Sequence, residues 1–480
     1  MGAMNQQDSR LRRRAIGLSI AAAVGGFLFG FDSSVINAAV DSIEAQFELQ
    51  AVLTGFVVAV ALLGCAVGAV LAGLLSDRFG RLVVMRIGAV LFLVSSIGAG
   101  LAVGVGDLIL WRVLGGLGIG IASVVAPAYI AEVAPSRIRG ALGSLQQLAI
   151  TLGIFGALMS DAILAGAAGS ASSPLWFGLE AWRWMFLVGV VPAAVYGILS
   201  LTMPESPRYL VATGRTEAAR AVFAQLVSAD ELDATMTEVE TALAADRENK
   251  KASLRGWALG LQPIVWIGII LSVLQQFVGI NVIFYYSTSL WRSVGFDESA
   301  SLTISVITSI VNVAVTIVAI ALVDRVGRKP ILLTGSVIMA LSLGTMALAF
   351  AFASGSGTDV TLPGAWGPIA LVAANAFVVG FGVSWGPLVW VLLGEIFPSR
   401  IRGRALGVAA GAQWIANFAI TVSFPVMSGW SLPVTYGMYA VFAVLSFLFV
   451  LTKIPETKGA TLEQTEAIFV AHGAKQPTST

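Results

Sequence analysis

The chain has 480 residues, 57% of them hydrophobic and only 11% charged, with 52 glycines, a formal net charge of +1 and a mean hydropathy of +0.88. A soluble domain carries about a quarter charged residues, so this composition excludes a water-soluble globule and points to a polytopic membrane protein. The single Cys65 excludes an intrachain disulfide and a cysteine-built metal site, and His472, the only histidine, lies beyond the last apolar run.

At the start, Arg10, Arg12, Arg13 and Arg14 precede an apolar stretch, as in a signal peptide. The stretch is too long for one and contains Asp32, so it reads as a retained first helix. The opening Met-Gly-Ala-Met-Asn-Gln has Gln6 where a myristoylation signal wants Ser or Thr. A helix needs roughly 20 apolar residues to cross a bilayer, and twelve such runs follow one another: 15–36, 52–75, 82–103, 108–131, 141–164, 183–203, 261–290, 300–323, 330–354, 366–393, 404–428 and 434–453. Asp32, in the first run, is a functional candidate because a charge in hydrocarbon is expensive.

Of 28 Lys and Arg, all but Arg112, Arg183 and Arg292 fall in the termini, in alternate loops or in the helix ends flanking them. The positive-inside rule makes those loops and both termini cytoplasmic. Loops 165–182 and 355–365, on the other side, are rich in small and polar residues and nearly uncharged. Between Glu205 and Arg255 charge density jumps and helix formers dominate, as in the run from Thr216 to Val227. The expected division is therefore a six-helix bundle over 1–204, a cytoplasmic helical insert over 205–256, a second six-helix bundle over 257–454 and a cytoplasmic tail over 455–480.

The halves repeat one another. Asp77-Arg78-Phe79-Gly80-Arg81 after run 2 returns as Asp324-Arg325-Val326-Gly327-Arg328 after run 8. Glu132-Val133-Ala134-Pro135-Ser136-Arg137-Ile138-Arg139-Gly140 after run 4 returns as Glu395-Ile396-Phe397-Pro398-Ser399-Arg400-Ile401-Arg402-Gly403 after run 10. Internal duplication of this kind suits alternating access, in which two similar bundles rock about a site. Gly80 and Gly327 allow the tight turn of the Asp-Arg-x-Gly-Arg loops.

With these paired motifs, Pro204-Glu205-Ser206-Pro207-Arg208-Tyr209-Leu210 after run 6 and Pro455-Glu456-Thr457-Lys458-Gly459 after run 12, the chain resembles the sugar porters of the major facilitator superfamily over nearly its whole length. The resemblance implies an all-α membrane protein of twelve transmembrane helices in two pseudo-symmetric bundles. It also implies that Asp77, Arg81, Glu132, Arg137, Asp324, Arg328, Glu395 and Arg400 form interbundle salt bridges closing an inner gate. The residues alone also fit a solvated, positive-inside hairpin.

Arg112 is the only basic residue deep in an apolar run, and helix rise tests its pairing with Asp32. Asp32 lies about 27 Å above Arg14 on an outward-going helix, and Arg112 about 30 Å above Glu132 on an inward-going one. The two charges can thus share a level. Burial favours the neutral acid and a guanidinium favours the carboxylate, so conformation can switch the proton on Asp32; a static ion pair between two helices is the alternative. Proton-coupled sugar porters resemble this chain in having aspartate at that position, where the facilitative glucose carriers of animals have asparagine. Asp32 and Arg112 are accordingly the expected proton-coupling pair.

A sugar hydroxyl both donates and accepts, as amides do, and a buried amide without a partner costs about 1 to 3 kcal/mol. Gln146, Gln147, Gln275, Gln276, Asn281, Asn312, Gln413, Trp414, Asn417 and Trp390 all fall in apolar runs, where they either line a polar cavity or glue helices together. The resemblance assigns sugar binding to Gln147, Gln275, Gln276, Asn281, Asn312, Trp390 and Gln413, and cavity lining to Phe29, Tyr285, Gly386 and Trp414, with Asn417 beside them. On a straight helix Gln276 and Asn281 differ by about 140° in direction. A local break at Gly279 would let both face one ligand, and Gly380, Gly382, Gly386 and Pro387 suggest another in run 10. Ile154 stands where xylose/proton symporters have a second glutamine and glucose carriers do not, so the pattern is a hybrid.

The expected activity is proton-coupled symport of a monosaccharide, glucose or xylose type, across the plasma membrane; a facilitative sugar uniporter or a proton-coupled inositol transporter of the same fold is the alternative. No lysine follows a glycine, so the P-loop of an ATP-driven pump is missing, and no cytoplasmic segment would hold a nucleotide domain. The sole histidine also removes a Ser-His-Asp hydrolase. A sugar receptor would carry a longer signalling tail. The expected partners are the sugar, the proton and the bilayer, with no nucleic acid, enzyme activity, catalytic residue, metal or cofactor, and the chain is expected to act as a monomer.

Overall fold

The computed structural model describes residues 2–135, 138–249, 253–354, 361–398 and 401–457. These form α1 (Gly2–Val35), α2 (Val40–Gln46), α3 (Ala51–Phe79), α4 (Arg81–Gly100), α5 (Val105–Val133), α6 (Arg139–Ala168), α7 (Ala181–Val188), α8 (Val190–Thr202), α9 (Pro207–Ala212), α10 (Thr216–Phe223), α11 (Leu232–Asn249), α12 (Pro263–Phe277), α13 (Ile280–Ser293), α14 (Glu298–Val326), α15 (Arg328–Ala351), α16 (Trp366–Val383), α17 (Trp385–Ile396), α18 (Arg402–Trp430) and α19 (Leu432–Lys453). Among the described residues there is no strand, only two isolated bridges.

Among the described residues twelve spans are long and apolar enough to cross a bilayer, and three of them are each built from two helices: α7 with α8, α12 with α13, and α16 with α17. The protein is therefore an all-α, multi-pass membrane protein. The charged insert between the sixth and seventh spans is helical, as its composition indicates, and contains α9, α10 and α11. Ser206 caps α9 by accepting from the Tyr209 N–H, with Pro207 in the first turn.

The chain forms two compact units. The first comprises Met1–Val35, Val60–Ser160 and Trp176–Lys251; the second comprises Ile36–Ala59, Asp161–Leu175 and Ala252–Thr480. Inside the first unit helices meet through glycine. A Cβ on Gly116 would strike the backbone of Ala61, and one on Gly120 the backbone of Cys65, so α3 and α5 touch main chain to main chain. Hydrocarbon offers no hydrophobic drive between helices, and close van der Waals contact of small residues supplies the cohesion instead. Gly30 and Gly153 bring α1 and α6 together in the same way.

In the second unit α15 packs along α16 and α19, and α12 along α18. Asp297 caps α14 by accepting from the Ala300 N–H at 2.8 Å. Trp385, wholly buried at the start of α17, donates its indole N–H to Ser336 Oγ at 2.8 Å and so fixes α17 to α15.

Candidate functional site

In the first unit Arg112 Nη1 on α5 lies 3.2 Å from Asp32 Oδ2 on α1, and it also donates to the Asp32 carbonyl at 3.4 Å. Arg112 is 3% exposed and Asp32 6%. The level inferred from helix rise is the level at which the two side chains meet. The guanidinium also sits 5.9 Å from the centre of the Phe186 ring. Two buried charges are tolerable only when paired and hydrogen-bonded, and removing one leaves the other stranded. The other two basic residues outside the positive-inside pattern also have acids: Arg183 meets Glu180 at 2.6 Å and Arg292 meets Asp41 at 2.7 Å. Arg183 further donates to the Ala102 carbonyl at 2.6 Å, just past the end of α4.

In the second unit the seventh span breaks at Gly279. That residue has φ +83, and the chain passes from α12 to α13 there. Only glycine takes this left-handed conformation without penalty, and the Tyr439 ring fills the space a Cβ would need. The break brings the two side chains together: Asn281 Nδ2 donates to Gln276 Oε1 at 2.6 Å. Gln276 Nε2 donates in turn to Gln275 Oε1 at 3.2 Å, and Gln275 Nε2 donates to the carbonyls of Trp385 at 2.8 Å and Gly386 at 3.3 Å. Three amides thus form a directed relay from α13 through α12 to α17.

The relay ends at the second break. The tenth span turns at Ser384, with φ −120 and ψ −86, between α16 and α17, inside the stretch marked by Gly380, Gly382, Gly386 and Pro387. Asn312, buried on α14, sets its Oδ1 close to Gly382. Gln413 is half-buried on α18, and its Oε1 is sealed from solvent with no hydrogen-bond partner among the described residues. Asn417, one turn along, accepts from Thr421 Oγ1 at 3.1 Å. Trp414 is half-buried on α18, and Tyr285 is buried on α13. Trp390 on α17 is 44% exposed and takes no part in the relay. Gln147 and Phe29 belong to the first unit, where both are half-buried, on α6 and α1.

The repeated loop motifs build one cluster in each unit. Arg81 grips Glu132 with two bonds, Nε at 3.0 Å and Nη2 at 2.8 Å, and approaches the exposed Asp77 at 3.7 Å. Arg328 holds Glu395 through Nη2 at 2.9 Å. All these partners lie within their own unit. Arg137 and Arg400 lie outside the described residues, and Asp324 is described only as a position on α14.

Glu205 and Glu456, each in a Pro-Glu motif that implies no role for it by itself, acquire one in the structure. Glu205 accepts from the N–H groups of Arg81 at 3.0 Å and Leu82 at 3.4 Å, and Glu456 from those of Arg328 and Lys329, each at 3.0 Å. Each carboxylate therefore satisfies the open first turn of α4 or α15, where the helix dipole favours an anion. Gly80 (φ +91) and Gly327 (φ +110) make room, since a Cβ at either would meet that carboxylate. The readable signal was the recurrence of Pro-Glu after the sixth and twelfth spans. Asn37 was also missed: in the second unit it donates to the Phe284 carbonyl at 2.9 Å and accepts from the Thr288 N–H at 3.2 Å.

A model of the family described as "Sugar (and other) transporter" matches residues 18–469. The glucose transport protein of Synechocystis sp. is 53% identical over 93% of this chain and 96% of its own length. The D-xylose-proton symporter of Escherichia coli K12 is 36% identical over 94% of this chain and 95% of its own. The solved structure of the major facilitator superfamily proton:xylose symporter XylE, bound to 6-bromo-6-deoxy-D-glucose, superposes with a TM-score of 0.79 at 35% identity, covering 95% of this chain and 100% of that one. A match this long, on a chain whose twelve spans and duplicated loop clusters are those of a transporter, means that the chain belongs to the sugar transporter family of the major facilitator superfamily.

Proposed function

We propose that this protein is a proton-coupled monosaccharide symporter of the plasma membrane, working by alternating access between two similar bundles. The observation that carries the reading is the buried Asp32–Arg112 pair at 3.2 Å inside the membrane span. A static lock would need only an ion pair, whereas a symporter needs a carboxylate that can give its charge up. Protonation of Asp32 releases Arg112, so proton binding and helix packing are linked. The names of the relatives support the coupling, because proteins named as proton symporters for xylose and arabinose align with nearly the whole chain. Glucose is the first substrate to test, since the relative at 53% identity is named a glucose transport protein.

The amide relay supports the sugar assignment. In the second unit Gln275, Gln276, Asn281, Asn312 and Gln413 carry hydroxyl-binding groups, with Trp390 as an aromatic face and Tyr285, Gly386, Trp414 and Asn417 as lining residues; in the first unit Gln147 carries a hydroxyl-binding amide and Phe29 is a lining residue. The Arg81–Glu132 and Arg328–Glu395 clusters set the conformational equilibrium without touching sugar. Both termini face the cytoplasm, as the distribution of Lys and Arg supports.

The test is uptake of glucose, xylose, galactose and inositol into proteoliposomes, with and without an inward proton gradient, for the protein and for Asp32→Asn. The reading requires gradient-driven accumulation by the first and mere equilibration by the second. Equal equilibration by both, with no accumulation, would make the protein a facilitator.

A further inference from the structure

The ninth span, α15, carries none of the residues assigned to sugar, yet it holds the break of the tenth span from two consecutive positions, Gly335 and Ser336. Gly335 is the seat. A Cβ there would strike the Ser384 side chain and come 2.9 Å from the Gly380 carbonyl oxygen, so the break lies directly on the α15 backbone. Ser336 is the tie: its hydroxyl accepts from the Trp385 indole N–H at 2.8 Å and donates to the Leu332 carbonyl at 2.8 Å. All of these residues belong to the second unit.

The break is closed by local chemistry. Pro387 has no N–H for the carbonyl of Val383, which interrupts the helical ladder. The Ser384 N–H turns instead to the Phe381 carbonyl at 3.1 Å, and the Ser384 hydroxyl takes the Gly380 carbonyl, which that N–H would meet in a regular helix, at 2.5 Å. The next residue, Trp385, is then held at both ends. Its indole is tied to α15, and its carbonyl accepts from Gln275 Nε2 at 2.8 Å, with the Gly386 carbonyl beside it at 3.3 Å. Gln275 therefore takes its orientation from a residue that Ser336 orients. A shift of the indole moves the carbonyl, and the amide follows; a binding group displaced by about 1 Å loses much of its effect.

We propose that Ser336 is a positioning residue for sugar recognition: through Trp385 it places the carbonyls that hold Gln275, and so sets the affinity of the amide relay for sugar from a span with no sugar-binding residue of its own. The inference rests on the reading of Gln275 as a sugar-binding residue and adds to it the residue that aims it.

Ser336→Ala suits the test because it does not strand the indole. The Leu332 carbonyl already lies 3.3 Å from Trp385 Nε1 and takes over as acceptor, which shifts the ring and leaves its N–H satisfied. The measurement is equilibrium binding of glucose to the purified protein by calorimetry, with melting temperatures alongside, for the protein, Ser336→Ala, Gln275→Ala and the double variant. Ser336→Ala is expected to raise the glucose Kd about three- to tenfold, the size of one misplaced neutral hydrogen bond. In the Gln275→Ala background it should leave the Kd unchanged, whatever it does to the melting temperature. A Ser336 that serves only the fold would weaken binding by the same factor in both backgrounds or not at all, and either result overturns the proposal. If Gln275→Ala weakens binding and Ser336→Ala does not, the proposal alone falls. If the protein binds no glucose, or binds it equally well as Gln275→Ala, the sugar reading of Gln275 is overturned and the proposal falls with it. Where Gln275→Ala binds too weakly for a Kd, Trp385→Phe takes its place, since it keeps a ring and removes the N–H. Alone and together with Ser336→Ala it should raise the Kd by the same factor, and additive losses overturn the proposal.

Discussion

Asn281 Nδ2 and Gln276 Oε1 are hydrogen-bonded at 2.6 Å, although an unbroken helix would point the two side chains about 140° apart. The bond exists because Gly279 turns the chain through the left-handed region between them. The backbone irregularity and the polar pair are one feature: the break supplies the geometry, and the bond helps to hold the break.

The pair is therefore expected to be energetically coupled. In a double-mutant cycle of Gln276→Ala and Asn281→Ala, read by thermal unfolding, the coupling energy should fall between about 0.5 and 3 kcal/mol, as for contacting residues. A cycle that is additive within about 0.3 kcal/mol would show that the bond contributes nothing to the fold.

Gly279→Ala should damage both stability and binding. The left-handed conformation costs a residue with a Cβ about 1–2 kcal/mol, and here that Cβ would stand 2.7 Å from the Tyr439 ring. A lower melting temperature and a glucose Kd raised about tenfold, equivalent to about 1.4 kcal/mol, are expected. Calorimetry and equilibrium binding on the purified variant check the two effects separately.

Arg112→Met should be among the most destabilising single changes in the first unit, because it leaves Asp32 sealed in the membrane without its 3.2 Å partner. Breaking one side of a buried pair costs about 3–5 kcal/mol. The double variant Asp32→Asn with Arg112→Met removes both charges, and most of the loss should be recovered. Melting temperatures in detergent measure this, and a double variant no more stable than Arg112→Met would argue against the pair as the cause.

Glu205→Ala and Glu456→Ala each leave two N–H groups in the first turn of α4 or α15 without their acceptor. A lost helix cap costs about 0.5–2 kcal/mol. Replacement by Gln, which keeps an acceptor oxygen and drops the charge, should cost less than Ala at both positions. Equal stability of the Ala and Gln variants in thermal unfolding would remove the capping role.

Twelve spans, their order, the helical insert and the duplicated halves were legible in the sequence because each depends on local quantities: the length of an apolar run against the thickness of hydrocarbon, the bias of Lys and Arg among loops, and the recurrence of short motifs. The level of Asp32 with Arg112 was also legible, since 1.5 Å of rise per residue turns sequence distance into depth. So was the break at Gly279, because helical periodicity forbids two residues five apart from facing one way. What the tertiary structure alone decided is which groups meet across the chain. It seats Glu205 and Glu456 on the first turns of α4 and α15, sends the amide relay on from Gln275 to the Trp385 and Gly386 carbonyls, and ties Asn37 to α13. Hydropathy and helical spacing treat each of these groups by itself. Only packing, which fixes what lies within hydrogen-bonding distance of each, decides their partners.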